Sequence, residues 1–271
     1  MGQELKVEPG SKVDLGDYDP DFTGKYRSEQ ETLDELTRLK DRLFDLQALM
    51  YADNRYSLLI VIQAMDAGGK DGTIRHVMSG VDPQGCVVTA FKEPTPEELA
   101  HDFLWRIHKA VPRRGEIGIF NRSHYEDVLI VRVHNLVPKD VWSRRYEQIN
   151  DFEAALAAAG VHILKFFLHI SRDEQLQRLR DRLRERLDDP RKHWKFNPED
   201  LKERAYWKQY MKAYADALGR CSTPQAPWFV IPANKKWFRN LAVSRILVET
   251  LQGLDMKYPQ PSFDLSTIEV R

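Results

Sequence analysis

Apolar residues recur along this chain with two alternating periods. Leu33, Leu36, Leu39, Leu43, Leu46 and Leu49 fall three or four apart, which predicts an amphipathic helix over 32–51. The period then changes: Ser57-Leu-Leu-Ile-Val-Ile-Gln63 is an unbroken apolar run with β-branched members, the mark of a buried strand. Comparable runs at 86–91, 116–120, 161–170 and 228–231 predict four further strands. Helices are expected over 71–78 and over 96–110, the latter with Leu99, Phe103, Leu104 and Ile107 on one face. Another runs from Pro138 in its first turn to Ala159, with Gly160 as its stop; one more follows a Ser171 cap, and the last covers 236–251. Residues 1–26, polar and punctuated by Gly, Asp and Pro, read as an N-terminal arm or loop rather than a core element. Such alternation implies an α/β fold: a parallel sheet of about five strands with helices on both faces. No repeat, low-complexity tract or linker divides the chain, so a single domain over 1–271 is expected, with an insertion at about 186–200.

Ligands of such sheets sit beyond the carboxyl ends of the strands. After the first strand, AMDAGGKDGT (64–73) places a glycine pair and a lysine at a helix start. Residues Ala67, Gly68, Gly69, Lys70, Asp71, Gly72 and Thr73 form the expected phosphate cradle: backbone N–H groups point inward, the helix dipole favours negative charge, and Lys70 adds a full positive one. The P-loop pattern is matched imperfectly. Ala64 stands where its first Gly is expected, and Asp71 where a Ser or Thr would hold magnesium. Asp66 lies inside the loop, where a carboxylate beside phosphates is repulsive unless a cation lies between them, which marks it as a displaced magnesium ligand. The alternative, a Gly-rich turn that binds nothing, sits poorly with the strand and helix on either side.

EPTPEE (93–98) follows the second strand, and NRSHYED (121–127) the third. Asn121 takes the place where P-loop enzymes commonly carry a magnesium-directed acid. Arg122 offers a fixed positive fork for phosphoryl oxygens, and Glu126 and Asp127 add carboxylates. In isolation the Arg–Glu pair reads as a surface salt bridge; its place at a strand end favours the functional reading. Downstream, Arg178, Arg182 and Arg186 share one helix face, Leu176, Leu179, Leu183 and Leu187 another, and Arg191, Lys192 and Lys195 surround Trp194. That segment reads either as a mobile clamp on a charged substrate or as a solvated helix laced with ion pairs. Between 172 and 195, nine Lys and Arg stand against six Asp and Glu, and in a neutral chain that asymmetry favours the clamp. His124 could shuttle protons, but phosphoryl transfer needs positioning and charge stabilisation more. His76, His101 and His108 lack metal spacing, and His162 and His169 fall in a strand as core histidines.

Lys plus Arg equals Asp plus Glu at 41 each, so no global basic field points to nucleic acid, and a polyanion partner must be met by a local cluster. Cys86 and Cys221 are expected to be reduced thiols. With no apolar leader in MGQELKVEPG and no segment of membrane-spanning length, a soluble cytoplasmic protein is expected.

MDAGGKDGT, FNRSHYEDVL, DDPRKHWKF and PWFVIPANKKWFRN together resemble the polyphosphate kinase 2 family, over roughly residues 30–260. The resemblance implies a thymidylate-kinase-like P-loop fold with a helical lid, and phosphoryl transfer between inorganic polyphosphate and nucleotides with magnesium. It makes Asp66, Lys70, Arg122 and Glu126 the catalytic candidates, with Asp66 and Glu126 as magnesium ligands. Arg178, Arg182, Arg186, Lys192 and Lys195 become candidate polyphosphate contacts in the lid, and the Arg-rich helix leaves open which arginine is the family's lid arginine. Many members carry Asp at position 121 and Asn at 126; the FNRSHYED form is similar to the subgroup called class III, which implies conversion of AMP to ADP to ATP. Adenine nucleotides, with guanine nucleotides in addition, are the implied acceptors, and a homo-oligomer the implied assembly, with helix 32–51 as its candidate interface. Spacing alone leaves open an ATP-dependent nucleoside monophosphate kinase and a non-catalytic nucleotide-binding module.

Overall fold

The computed structural model describes residues 2–189 and 199–263, apart from the side chains of residues 186, 187 and 200. Five parallel strands form one sheet: β1 (Ser57–Gln63), β2 (Cys86–Ala90), β3 (Ile117–Asn121), β4 (Val161–His169) and β5 (Trp228–Pro232), in the order β2-β3-β1-β4-β5. All seven residues of β1 are buried, as the apolar run requires of a central strand covered on both faces. Its side chains alternate between two cores. Leu58, Ile60 and Ile62 face helices α1 (Leu33–Asp53) and α6 (Lys236–Gln252), whereas Leu59 and Val61 face α3 (Arg145–Ala158) and α5 (Trp207–Cys221). Two more long helices complete the frame: α2 (Lys70–Val77) follows β1, and α4 (Arg172–Asp188) follows β4 behind a Ser171 cap.

The chain leaves β1 toward the β2 side and leaves β4 toward β5. Those diverging exits open a crevice between the carboxyl ends of β1 and β4, the place where α/β sheets bind ligands.

Four expectations are corrected. The helix over 96–110 is two short turns, Pro96–Leu99 and Trp105–His108. Asp102 Oδ1 accepts from Leu104 N at 2.9 Å, a local bond that competes with helix continuation, and Leu99 is 70% exposed. Likewise the helix from Pro138 is split into Lys139–Trp142 and α3, with an i→i+3 bond from Arg144 N to Val141 O at the break; Gly160, at φ +92°, ends it as expected. Helix α5 was not expected at all, although Tyr210, Ala213, Tyr214, Ala217, Leu218 and Cys221 mark its buried stripe. The N-terminal arm contributes to the core: Val7 N donates to Trp228 O at 2.9 Å along the otherwise open edge of β5, and Leu5, Val7 and Leu15 are buried.

Candidate functional site

The loop after β1 is shaped by close backbone approach. Gly68 can carry no side chain, because a Cβ there would lie 2.5 Å from Ala64 Cβ and 2.7 Å from Met65 O. Ala67 (φ +60°) and Gly69 (φ +100°) are both left-handed, and Gly69 delivers the chain into the first turn of α2. Lys70 Nζ returns across the loop to donate to Ala64 O at 3.0 Å, while Thr73 Oγ1 donates to Gly69 O at 3.0 Å. Asp71 is turned to the end of β3, accepting from Asn121 Nδ2 at 2.7 Å.

β3 delivers the opposing residues. Arg122 sits at φ +63°, a left-handed conformation that costs a non-glycine residue on the order of 1–3 kcal/mol and is typical of functional sites. Its Nη2 donates to Asp66 Oδ1 at 3.1 Å. Four residues further on, Glu126 Oε1 accepts from the Gln63 amide nitrogen at 3.0 Å, and the amide oxygen accepts from Ser123 N at 3.2 Å. Burial is the first cause that raises the Glu126 carboxyl above its usual range, with Asp66 adding to it and Arg122 and Lys70 opposing. Burial equally lowers the Lys70 ammonium, helped by Arg122 and opposed by Asp66, Glu126 and Asp71.

Two cavities meet at Asp66 and Arg122. One, of about 460 Å³, lies over the loop 66–72 and is rimmed by Lys92, Asn121 and Arg182. The other, of about 420 Å³, is walled by Glu93, Glu126, Ile130, Tyr210 and Tyr214. Asp66, Lys70, Arg122 and Glu126 are thereby brought together, with residues 67–72 of the cradle along one wall and Thr73 buried behind them.

Residues 26–259 match the family model described as Polyphosphate kinase 2. This chain belongs to that family. It is 55% identical over 260 residues to the AMP/ADP-polyphosphate phosphotransferase of Meiothermus ruber, covering 96% of each chain. It is 47% identical to the ADP-polyphosphate phosphotransferase of Rhodopseudomonas palustris, covering 95% of this chain and 92% of that one. The crystal structure of polyphosphate kinase 2 from Arthrobacter aurescens superposes with a TM-score of 0.91 at 46% identity, covering 97% of this chain and 93% of that one.

Other expected site residues of this polyphosphate kinase 2 family member fall elsewhere. Arg178 turns inward: its Nε donates to Glu174 Oε1 at 2.7 Å, its Nη1 to the carbonyls of Ala67 and Gly68, and its Nη2 to those of Ala233 and Asn234. Arg182, one turn on, lines the cavity over the loop. The side chain of Arg186, and Lys192 and Lys195, lie outside the described residues, as does most of the expected lid insertion. Asp127 is held at 2.8 Å by Arg145, and burial pushes its carboxyl up to about 6. His124 is no free shuttle, because its Nε2 contacts Glu153 Oε1 at 3.1 Å inside the core. Glu153 also accepts from Tyr125 Oη at 2.9 Å and pairs with Lys165 Nζ, which donates to Cys221 O at 2.6 Å.

Two residues beside the site escaped the sequence reading. Gln175, fully buried, donates to Asp66 O at 3.0 Å and accepts from Arg204 Nη1 at 3.0 Å, tying the loop to α4. Arg239 lies in α6 directly behind Gly69. Its signal was a charge interrupting the apolar positions Phe238, Leu241, Ala242 and Val243.

Proposed function

We propose that this chain is a polyphosphate-dependent nucleotide kinase that moves the terminal phosphoryl group of inorganic polyphosphate to nucleoside mono- and diphosphates, taking AMP to ADP and ADP to ATP. The observation that carries the reading is the pair of cavities joined at Asp66 and Arg122: a donor chain on the cradle and an acceptor beside Glu126 would meet between them. The names of the relatives from M. ruber and R. palustris support the same donor and acceptors. In this reading the N–H groups of 67–73 and Lys70 bind and orient the donor's phosphates. Arg122 supports charge on the group in flight, and Arg182 approaches from α4. Phosphoryl transfer asks little covalent chemistry of a protein and much positioning, which these groups supply.

Magnesium fits the residues present. Asp66 and Glu126 are hard oxygen donors facing one cavity, and the Asp66 carboxylate disfavours charge on Glu126, which a cation between them would offset. Among the described residues no group of three or more His, Cys, Asp or Glu is placed to hold a metal. An ion held by one or two carboxylates and by substrate phosphates suits magnesium. Bound there, it would neutralise phosphate charge.

We further propose adenine nucleotides, with guanine nucleotides in addition, as acceptors, one domain as the working unit, and a homo-oligomer as the assembly. α1 buries Leu43, Leu46 and Met50 toward α6 and leaves Phe44 and Tyr51 exposed for such an interface. Among the described residues no helix is long and apolar enough to cross a membrane.

The test is to mix the protein with AMP and magnesium and add either polyphosphate or ATP, with Lys70→Ala as control. ADP followed by ATP from polyphosphate, lost in a folded Lys70→Ala protein, is expected. Product from ATP alone would point to an ATP-dependent monophosphate kinase, and no product from either donor to a binding module.

A further inference from the structure

The P-loop is backed by two guanidinium groups in contrasting circumstances. Arg178 is neutralised by Glu174 and spends its remaining donors on four carbonyls. Arg239, 3% exposed, has no carboxylate within ion-pair distance among the described residues; its Nε and Nη2 share the single amide oxygen of Asn240, at 3.2 and 2.9 Å. Its Nη1 lies 2.1 Å from where a Gly69 Cβ would stand, and its Nη2 3.5 Å from a Gly72 Cβ. Those glycines, three apart on the first turn of α2, leave the room that the guanidinium fills. A buried cation without a counterion is costly, and proteins seldom keep one at a site with no anion to come. The same Gly69 and Gly72 line the cavity over the loop, where the cradle would take an anion.

We infer that Arg239 is a positioning residue whose uncompensated charge acts through the Gly69–Gly72 turn, favouring bound phosphates without touching them. The inference rests on the phosphate-binding reading of the loop. The surroundings agree: burial, and Arg178 beside it, lower the Arg239 guanidinium to about 10, a sign that no neighbour among the described residues compensates its charge.

Three variants separate charge from packing. Arg239→Gln keeps a donor for Asn240, Arg239→Met keeps bulk alone, and Arg239→Lys keeps the charge. Binding of tripolyphosphate and of ATP, each with magnesium, would be measured by titration calorimetry, and melting with and without them by calorimetry. Both neutral variants are expected to bind either triphosphate roughly tenfold more weakly than wild type, with Arg239→Lys within about threefold. Melting of the ligand-free protein should hold or rise in Arg239→Gln, because an unpaired buried charge has gone, while the rise produced by tripolyphosphate shrinks. A structural role predicts the reverse pattern, a lower ligand-free melting point and an unchanged ligand shift. Equal binding in all variants, equal losses in Lys and Gln, or failure of both neutral variants to fold would each overturn the inference. A wild type that binds ATP and not tripolyphosphate would sink the polyphosphate reading while the Arg239 comparison is read on ATP; one that binds neither overturns both.

Discussion

Replacing Lys165 with Met removes the centre of the network that supports NRSHYED from below. Lys165 sits in the middle of β4 with no exposed surface, and its ammonium serves Glu153, Tyr125 Oη at 2.8 Å and Cys221 O at 2.6 Å. In Lys165→Met the Glu153 carboxylate stays buried with only Tyr125 and His124 as partners. Breaking one side of a buried pair costs about 3–5 kcal/mol. At roughly 2–4 °C per kcal/mol for a chain near this size, the melting point should fall by about 6–20 °C. The pH dependence carries the sign. In the wild type Lys165 and His124 outweigh desolvation and hold the Glu153 carboxyl below its usual range, so its contribution is present above the unfolded-state pKa and lost as pH falls through the folded one. Without Lys165, desolvation prevails and the carboxyl rises. The stability gap to wild type should therefore be widest near neutrality and narrow on acidification through the ordinary carboxylate range. Urea unfolding at several pH values, with activity followed on the folded fraction, measures both. A variant within about 1 kcal/mol of wild type near neutrality, or a gap that widens with acid, would refute this account of the network.

Three other outcomes are expected. Lys192→Ala with Lys195→Ala should raise the Michaelis constant for polyphosphate more than that for the nucleotide, and both constants should rise further with added salt, since solvated charge contacts are screened beyond roughly 8 Å at physiological ionic strength; an unchanged polyphosphate constant would leave the basic cluster without a part in donor binding. Glu126→Asn should impair AMP phosphorylation more than ADP phosphorylation, checked by initial rates with each acceptor; equal losses would make Glu126 a general catalytic or metal residue. Asp127, pushed up to about 6 when folded, binds its proton more tightly in the native state, so its contribution is present at low pH and lost as pH rises through about 6. Asp127→Asn should flatten that fall between about pH 4 and 6 in a series of thermal melts.

Legibility in the sequence followed the range of the interactions. β1 is written in consecutive residues, and the loop behind it in glycines whose missing side chains the geometry demands at Gly68 and Gly69. NRSHYED pointed to Arg122 and Glu126 by their place at a strand end, and the structure sets both on the cavity that Asp66 also lines. Helix α5 was missed although its stripe is regular: alanines at 213 and 217 weaken the apolar signal, and nothing before Trp207 marks a start. Leu99 misled in the opposite direction, since its spacing fitted a helix that Asp102 interrupts. The supports of the site were illegible for a different reason. Lys165 in an apolar strand demands a partner, but which acid answers depends on how α3 crosses β4, and Arg178 reads as a clamp residue until the fold brings the carbonyls of 67 and 68 to it.

The same distinction explains the electrostatics of the site. Lys70 is pushed toward its neutral form and Glu126 toward its protonated form, each chiefly by burial, so their surroundings work against the charges that phosphoryl transfer needs. Their mutual attraction offsets part of that cost, and Arg122 adds to it for Lys70 while easing it for Glu126. Phosphates arriving on the cradle would favour the Lys70 ammonium, and a divalent cation arriving at Asp66 and Glu126 would favour the Glu126 carboxylate. On the proposed reading each ligand therefore makes the site more welcoming to the other. A site built this way favours the metal–phosphate complex over either component alone, while Arg178 holds the carbonyls of Ala67 and Gly68 from behind.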